Sequence, residues 1–598
     1  MKKILLILSC LCAALSLFAV PARPGQFKVT QPDGSTLMIR LHGDEFGHWI
    51  TDARGRVVRK DADGWWREAQ GVNPMQIRRA AANRRESARK NRLRRAASHV
   101  AVGEKRFLVV LVEFTDKKFT VDNPKAAFTA LLNEKGYSEN GGTGSARDFY
   151  YDNSHGIFEP VFDVYGPVTL SNSKAYYGGN DEEGYDLRPE AAVAEACKAL
   201  DGQIDFSRYD NDGDGEVDLV FMYYAGYGEA DSDDADSIWP HQWEFSGFTA
   251  DGKTVSSYAC TNELNGNYSD SPDSMCGIGT ACHEFGHAMG LPDFYDTDYS
   301  TNGRAAGLFD FSTMDGGAYN NDGRTPPYFN IEERILLGWL DENALEEIPA
   351  SGTYTLGSVQ NNKAFKTPTD QEGEYFVYEC RNDDGWDKYL PAHGMIVYHV
   401  DKSACQVSID GAGSVAASEL WSNWGQYNAI NENGSHPCFY VVPAADQGDL
   451  LFGFEYDDEY EEYYFNYNYA PEIPFPGSRK VTDYTAKSWN GVDSQVVLSD
   501  IAYSGGQVSF KAAVPSAGLD YPVIRNPGGG TYAAGSSFAL ALDMPEGMTA
   551  SAVRWSYDGV SVSGTSLQLT QGGAHTVEAD ITLQGGRRMV VTLEIQVK

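Results

Sequence analysis

Residues 281–296 read ACHEFGHAMGLPDFYD, and no other short stretch of the chain says as much about its fold and chemistry. His283 and His287 stand four positions apart, so on a helix both side chains project from one face. Gly290 permits a sharp turn where the helix ends, and Asp293 follows three residues later. The spacing predicts a helix that offers two imidazoles to one metal ion, with the carboxylate of Asp293 as third ligand.

The chemistry of such a site depends on the glutamate between the histidines and on a coordination position of the metal that no side chain fills. Glu284 is near enough to act on a metal-bound water. Three protein ligands leave the fourth zinc position for water, as a catalytic site requires. Asp296 is an alternative third ligand. The competing interpretation is a structural helix whose polar side chains only form hydrogen bonds and bind no metal. It is disfavoured because a histidine pair without a partner is costly on an apolar helix.

A methionine follows the helix in FDFSTMDGGAYN, residues 309–320. Long-motif zinc proteases place a methionine turn beneath the metal, and Met314 has this position in the sequence. Together the motif and the turn resemble the metzincin clan, and more narrowly the chain resembles the immune-inhibitor-A-type secreted metalloproteases. The resemblance covers about residues 105–510. It includes SARDFYYDNSHGIFEPVFDVYGPV (145–168), DFSRYDNDGDGEVDLVFMYYAG (205–226), IWPHQW (238–243), PPYFNIEERILLGWL (326–340) and PFPGS (474–478).

The resemblance implies a metzincin-like catalytic domain with one zinc ion bound by His283, His287 and Asp293. It also implies that Glu284 is the general base and acid. Most metzincins have a third histidine where this chain has Asp293, but a carboxylate is an acceptable zinc ligand. Two tyrosines after the methionine turn are candidate oxyanion donors, and each is expected to be a packing residue instead: Tyr319 and Tyr328.

A second metal site is predicted in DNDGDGEVD, residues 210–218. The pattern is close to the first nine positions of a calcium-binding loop, although its twelfth position is Phe221 instead of Glu. So many neighbouring carboxylates repel one another without a cation, so we predict one structural calcium ion. A solvated acidic loop is the alternative. The predicted ligands are Asp210, Asp212, Asp214, Glu216 and Asp218.

The first residues, MKKILLILSCLCAALSLFAVPARPG, have the charged start and apolar run of a signal peptide. Cleavage is expected after Ala19 or Ala22. A membrane anchor is the alternative, but the run is short and ends in Pro and Gly. No other stretch is long and apolar enough to span a bilayer, so the protein is predicted to be secreted or on the cell surface, without a transmembrane segment after signal removal.

Residues 23–100 read as a removable propeptide. Its end, within residues 77–107, is rich in Arg and Ala, which indicates an exposed helix or linker that a trypsin-like activating protease could cut. The whole chain has 84 acidic and 48 basic residues, a formal charge of -36. A surface of this sign argues against nucleic-acid binding, which needs a basic face.

A chain of 598 residues is too long for a single hydrophobic core, so the sequence predicts a multidomain α+β protein. RFLVVLVEF (106–114) reads as a buried strand, and residues 186–202 have helical spacing. After about residue 344, strand patterns dominate, and the last segment is typical of an immunoglobulin-like β-sandwich with a buried Trp555. The predicted domains are 1–22 (signal peptide), 23–100 (propeptide), 101–344 (zinc protease), 345–513 (β-rich domain) and 514–598 (sandwich).

Seven cysteines remain beyond the signal peptide, and their spacing is not that of a zinc finger or a dense disulfide framework. Bridges between Cys260 and Cys276 and between Cys405 and Cys438 are conceivable, but buried free thiols are expected. His393, His399 and Asp401 suggest a further site, although their strand pattern favours a role in supporting the fold.

Three functional hypotheses follow. The first is a secreted zinc endopeptidase, made as a zymogen, that acts on protein or peptide substrates. The second is a surface protein that binds proteins or glycans and keeps a vestigial protease domain, which the intact Glu284 disfavours. The third is a zinc hydrolase for a non-peptide bond, which the propeptide disfavours.

Overall fold

The computed structural model describes residues 17–598, except 62, 70, 92–100, 182–183, 299–302, 410–411, 458–461, 515–520, 527–528 and 546–547. Most of the predicted signal peptide and residues 92–100 of the Arg-rich segment therefore lie outside the described residues. Within the described part, no helix is both long and apolar enough to cross a membrane.

The segment before residue 92 is strand-rich and ends in a helix. Its elements are β1 (Leu17–Ala19), β2 (Phe27–Thr30), β3 (Thr36–Asp44), β4 (Gly47–Asp52), β5 (Val58–Lys60), β6 (Trp66–Glu68) and α1 (Pro74–Asn91). Strands β2, β3 and β4 form one antiparallel sheet, and β5 pairs with β6. The Arg-rich stretch is helical over its first half, which agrees with the helix interpretation and not with a linker there.

The next region alternates strands and helices. Its elements are β7 (Gly103–Glu113), α2 (Pro124–Asn133), α3 (Ala146–Asn153), β8 (Phe158–Thr169), α4 (Lys174–Gly178), α5 (Pro189–Leu200), β9 (Val220–Tyr227), β10 (His241–Ala250), β11 (Lys253–Leu264), α6 (Gly279–Met289) and α7 (Ile331–Leu336). One six-stranded sheet has the order β1-β10-β11-β9-β7-β8. Strands β8, β7, β9 and β11 are parallel, whereas β10 is antiparallel to β11 and β1 is antiparallel to β10.

Strand β7 is central because both of its faces are covered by apolar side chains. Val109 and Leu111 face the layer that contains α2, α3 and α6, while Leu108 and Val110 face the layer that contains α5. Successive side chains of a strand point to opposite faces, so a continuous apolar run is stable only when helices cover both. The run FLVVLV meets this requirement, which explains its position in the sheet.

Helix α6 is held firmly against this sheet. Phe285 meets Phe107 edge to face with 4.6 Å between ring centroids, and Tyr150 donates a hydrogen bond of 2.6 Å to the carbonyl of Cys282. The helix ends at Gly290, whose φ of 113° is a conformation that glycine adopts without strain. The chain can therefore turn back at once, and it does so toward the face that carries the two histidines.

Residues 345–513 are rich in strands. Their elements are β12 (Leu345–Glu347), β13 (Gly352–Leu356), β14 (Ala364–Pro368), β15 (Glu374–Arg381), β16 (Gly394–Asp401), β17 (Gln406–Ile409), β18 (Gly413–Ala416), α8 (Ala417–Ser422), α9 (Trp424–Tyr427), β19 (Phe439–Val442), β20 (Phe454–Asp457), β21 (Glu462–Phe465), β22 (Tyr484–Lys487), β23 (Asp493–Ser504) and β24 (Gln507–Ala513). Two main sheets have the orders β12-β14-β15-β16-β19 and β13-β24-β23-β22. Their apolar residues share one continuous core with α6.

The last segment forms a separate all-β core. Its strands are β25 (Val523–Ile524), β26 (Thr531–Tyr532), β27 (Ser537–Ala539), β28 (Leu542–Asp543), β29 (Ala550–Tyr557), β30 (Val560–Val562), β31 (Ser566–Gln568), β32 (Gly573–Leu583) and β33 (Arg588–Val597). Five of them form a sheet of order β26-β33-β32-β29-β30. Trp555 is only half-buried at the edge of this core, so its prediction as a buried centre was wrong. The immunoglobulin-like assignment stays a prediction.

All seven cysteines of the described residues are free thiols, and six of them are buried. Neither conceivable bridge is formed, which agrees with the expectation of free cysteines.

Candidate metal centre

Three donor atoms converge where helix α6 ends. The Nε2 atoms of His283 and His287 are 3.0 Å apart. The Oδ1 atom of Asp293 lies 3.3 Å from the first and 3.4 Å from the second. All three side chains are buried. Asp296, the alternative third ligand, lies outside this trio, and its Oδ2 instead accepts a hydrogen bond of 3.0 Å from the amide of Ala305.

The orientation of both imidazoles is fixed by backbone carbonyls. His283 Nδ1 lies 2.8 Å from the carbonyl of Thr313, and His287 Nδ1 lies 2.8 Å from that of Leu291. A carbonyl only accepts, so each Nδ1 carries the proton and each Nε2 presents a lone pair. Burial also lowers the pKa of His287, which favours the neutral ring.

These lone pairs need a cation between them. Two Nε2 acceptors 3.0 Å apart repel, and the buried Oδ1 of Asp293 has no hydrogen-bond partner among the described residues. Unpaired buried acceptors are unfavourable unless a proton or metal satisfies them. Two neutral imidazoles and one carboxylate are also a common ligand set for zinc. The residues present therefore fit a zinc ion.

Asn428 holds the carboxylate of Asp293 in this orientation. Its Nδ2 donates to Asp293 Oδ2 at 2.7 Å, and its Oδ1 accepts from the Asp293 amide at 2.9 Å. With Oδ2 engaged, only Oδ1 is left to face the histidines. Asn428 follows α9 and lies 135 residues downstream of its partner, so no local motif pointed to it.

Glu284 lies next to the trio and is fully buried. Its Oε1 accepts a hydrogen bond of 2.8 Å from the backbone amide of Val20. Burial raises the pKa of Glu284 well above its usual value, and the Val20 hydrogen bond opposes this shift. The carboxylate that the sequence suggested as proton carrier is thus covered by the N-terminal segment.

Met314 packs directly beneath helix α6. A Cβ atom placed on Gly286 would lie 2.6 Å from Met314 Sδ, so only glycine allows this approach. The residue before the methionine, Thr313, supplies the carbonyl that orients His283. The predicted methionine turn therefore lies against the metal-binding helix and contributes to the orientation of a ligand.

Strand β1 and the two residues after it lie against the elements that surround Glu284. Leu17 and Ala19 pair with Trp243 and His241 of β10, in antiparallel register. The indole of Trp239 donates to the carbonyl of Val20 at 3.0 Å.

Tyr319 holds the next residue of this segment. Its hydroxyl donates to the carbonyl of Pro21 at 2.7 Å, so it lies at the cleft, whereas Tyr328 is buried in the main core.

The acidic loop brings together part of its predicted ligand set. Ligand atoms of Asp210, Asp212 and Asp214 lie within 4.8 Å of one another. Lys253 already pairs with Asp210. The other two predicted ligands make different contacts, since Asp218 Oδ2 accepts from Asn211 at 2.6 Å and Glu216 Oε2 accepts from Ser256 at 3.4 Å.

Comparison with known proteins finds similarity in the region that contains His283, His287 and Asp293. Residues 95–332 match the family model of the immune inhibitor A peptidase M6, catalytic domain. Pre-pro-metalloprotease PrtV of Vibrio cholerae serotype O1 is 27% identical over 320 residues, covering 46% of this chain and 34% of the relative. Immune inhibitor A of Bacillus thuringiensis subsp. alesti is 26% identical over 273 residues, covering 39% of each chain. The chain thus spans well under half the length of these relatives.

Proposed function

We propose that this chain, whose residues 95–332 match the catalytic-domain model of the immune inhibitor A peptidases, is a secreted endopeptidase that uses one zinc ion. The observation that carries the proposal is the convergence of His283 Nε2, His287 Nε2 and Asp293 Oδ1 within 3.4 Å of one another. Zinc, when bound, supplies a Lewis acid that polarises the scissile carbonyl and acidifies water.

Glu284 is the proton carrier of the proposed reaction. Its carboxylate takes a proton from the attacking water and then delivers it to the leaving amine. Its place on α6 between the two histidines supports this role, because it lies beside the ion that they would hold. Met314 and Thr313 have a supporting role, as they fix the helix and the ring of His283.

The proposed substrates are extended segments of proteins. Strand β10 is the edge of the six-stranded sheet once β1 is disregarded, and β1 pairs with it in antiparallel register. An edge strand binds any extended peptide through its backbone groups. Trp239 and Tyr319 donate to successive carbonyls of the segment in the cleft, which supports a role for both in binding the substrate backbone.

The same contacts support synthesis as a zymogen. Cleavage of the signal peptide after Ala19, the earlier of its two expected sites, leaves residues 20–23, which cover Glu284 and are held by an ion pair of 2.6 Å between Arg23 and Asp322. The tip of the β3–β4 hairpin, with Asp44 and Phe46, borders a small cavity together with Asp293 and Asn428. A protein substrate has no access while these segments are present. The Arg-rich segment 77–107 is the proposed cleavage site for an activating trypsin-like protease.

A structural calcium ion at Asp210, Asp212 and Asp214 is a further part of the proposal. Glu216 and Asp218 complete the predicted set only if their present contacts are exchanged for the ion. The ion would brace the loop that precedes β9, a central strand of the catalytic sheet.

Hydrolysis of casein by the nicked precursor tests the proposal. The precursor is expressed, cut with trypsin in the Arg-rich segment and analysed for zinc, alongside a Glu284→Ala variant. We expect about one zinc per chain at this site in both proteins and cleavage only by the wild type. Zinc binding without hydrolysis of any protein by the nicked wild type would overturn the proposal, and it would favour a binding protein or a hydrolase for another bond.

A further inference from the structure

A second cluster of metal-binding side chains lies in the β-rich region, outside the part that matches the protease family. It consists of Asp401, Cys405 and His436. Asp401 is the last residue of β16, Cys405 lies in the turn before β17, and His436 lies in the loop before β19. Strands β16 and β19 are antiparallel neighbours, with Val400 opposite Phe439. The end of one strand therefore meets the start of the other, which explains why these distant residues are close.

The three donor atoms are close enough to share one ion. One atom from each residue lies within 4.8 Å of the other two. His436 Nε2 is 2.5 Å from Asp401 Oδ2, and its Nδ1 is 3.7 Å from Cys405 Sγ. Ligand atoms of a tetrahedral zinc ion lie about 3.4–3.8 Å apart, as the usual metal–ligand distances require. These two contacts use different ring nitrogens and one ion can bind only one of them, so zinc binding requires the His436 ring to turn in its plane until a single nitrogen faces both Asp401 Oδ2 and Cys405 Sγ.

The surroundings fix the cluster in place. Asp401 is fully buried, and its Oδ1 accepts a hydrogen bond of 2.7 Å from the amide of Ser403, which leaves Oδ2 to face the cluster. The imidazole of His436 stacks on Trp489 with 4.2 Å between ring centroids. Both groups are held by contacts outside the trio, as the ligands of metal sites usually are.

Support of the fold alone does not explain the thiol. An ion pair of Asp401 with His436 would be sufficient to satisfy the buried carboxylate. Cys405 is instead a partly exposed free cysteine directed at this pair.

We propose that Asp401, Cys405 and His436 form a second zinc site that does not take part in peptide hydrolysis. Binding replaces the thiol proton, which passes to solvent, with a bond from Cys405 Sγ to zinc. Water from the exposed side supplies the fourth ligand. The site joins the turn after β16 to the loop 428–438, whose first residue, Asn428, holds Asp293. Its role is to brace this loop, and it is independent of the proposed protease function.

Cobalt binding provides a direct test, because cobalt bound to thiolate gives a charge-transfer absorption band that nitrogen and oxygen ligands do not give. The proposed catalytic ligands are two histidines and one aspartate, so they cannot produce this band. The full chain carrying Glu284→Ala is reduced, stripped of metal and titrated with Co²⁺. We expect the band in this protein and its loss in the added Cys405→Ser and His436→Gln variants. Cys438→Ser, a neighbouring buried thiol outside the trio, is the matched control and keeps the band.

Zinc content gives a second measurement. We expect about two zinc ions per chain, about one after Cys405→Ser and about one after His283→Ala with His287→Ala. Circular dichroism identifies a variant that fails to fold. If either Cys405→Ser or His436→Gln does so, the variant of the other residue is used for the test. Three results would each overturn the proposal: no charge-transfer band, a band that persists in Cys405→Ser, or a Cys405–Cys438 disulfide in protein never exposed to reductant. Failure of casein hydrolysis leaves all of these measurements interpretable.

Discussion

Three side chains can bind one cation only if contacts outside the trio fix their directions. Both histidines of helix α6 are fixed by carbonyls within the same region of the chain, from Thr313 and Leu291. Asp293 is fixed differently, by an amide that comes from the β-rich region. The metal centre therefore depends on a residue outside the segment that matches the protease family, and Asn428 is the residue at which this dependence can be measured.

Replacing Asn428 with Ala should weaken zinc binding. Without the amide, Asp293 Oδ2 is no longer engaged, and the carboxylate can turn away from the histidines. Loss of such an outer contact typically lowers metal affinity by about 10–100-fold. Competition with a chromophoric chelator measures the affinity, and casein hydrolysis should fall in parallel at limiting zinc.

Asn431→Ala is the matched control for Asn428→Ala. This amide lies on the same loop and is also buried, but it donates to the carbonyls of Phe294 and Phe439 instead of a ligand. We expect Asn431→Ala to lower thermal stability and to leave zinc affinity unchanged. Equal zinc affinity in the two variants would show that Asn428 supports only the fold.

Tyr319→Phe should lower kcat of the activated enzyme by about 100-fold, as loss of one donor to a developing oxyanion typically does. The change keeps the ring and removes only the hydroxyl that now binds the carbonyl of Pro21. Zinc content should not change. Tyr328→Phe is the control, because that tyrosine is buried in the core and should not affect kcat. Equal kcat in wild type and Tyr319→Phe would exclude the hydroxyl from the reaction.

The sequence predicts side chains that act together when they are close along the chain. His283, Glu284 and His287 lie on one helix, and the turn at Gly290 brings Asp293 back, so local geometry was sufficient for these four. Asn428 could not be predicted, because its contact depends on tertiary packing. The same limit applies to Asp401, because its expected partners His393 and His399 contact Asp387 and Glu374 instead, while its actual partner is His436.

At the scale of elements, hydrophobic pattern predicts which strands are buried but leaves their partners open. The run at residues 106–114 forms β7 within a few residues of its expected bounds, because both faces must be covered. The pairing of β1 with β10 joins segments more than 200 residues apart, and no periodicity in either segment encodes it. The blocked cleft therefore became visible only in the folded chain.

The acidic loop before β9 allows a prediction at this scale. Calcium at about 100 times its Kd stabilises a protein by about 2.7 kcal/mol, which should raise Tm by several degrees if the loop binds it. Asp212→Asn with Asp214→Asn should abolish the shift, because it removes two carboxylates of the cluster. Thermal unfolding of the Glu284→Ala chain in Ca²⁺, compared with Mg²⁺, measures the shift in Tm.

The exposed Asp236, in the acidic loop that follows β9, serves as control for the calcium prediction. Asp236→Asn should keep the full calcium shift. If calcium leaves Tm unchanged, or if the double variant keeps the shift, the loop is a solvated surface in which Lys253 alone offsets the charge of Asp210.

At the scale of the whole molecule, charge and packing both hold the N-terminal segment against the rest of the chain. The chain has a formal charge of -36, yet the segment before the catalytic region is rich in Arg. Arg23 pairs with Asp322, Lys60 with Asp233, and Arg84 with Asp181. Opposite charge therefore adds to the buried contacts that hold the segment over the cleft. A cut in the Arg-rich segment would break the covalent connection but leave these contacts, so release of the fragment should be a separate step from cleavage.

Val20→Asp should produce a precursor that cleaves casein before any nicking. Val20 is fully buried beside Glu284, and a carboxylate at this position would face another carboxylate in an apolar environment. Burying such an unpaired charge costs several kcal/mol, which should expel residues 20–23 and uncover Glu284. Lys28→Asp changes charge at an exposed position of the same segment and should stay latent. The rate of casein hydrolysis without trypsin distinguishes the variants. A latent Val20→Asp precursor that becomes fully active on nicking would mean that the hairpin tip near Asp293, and not residues 20–23, maintains latency.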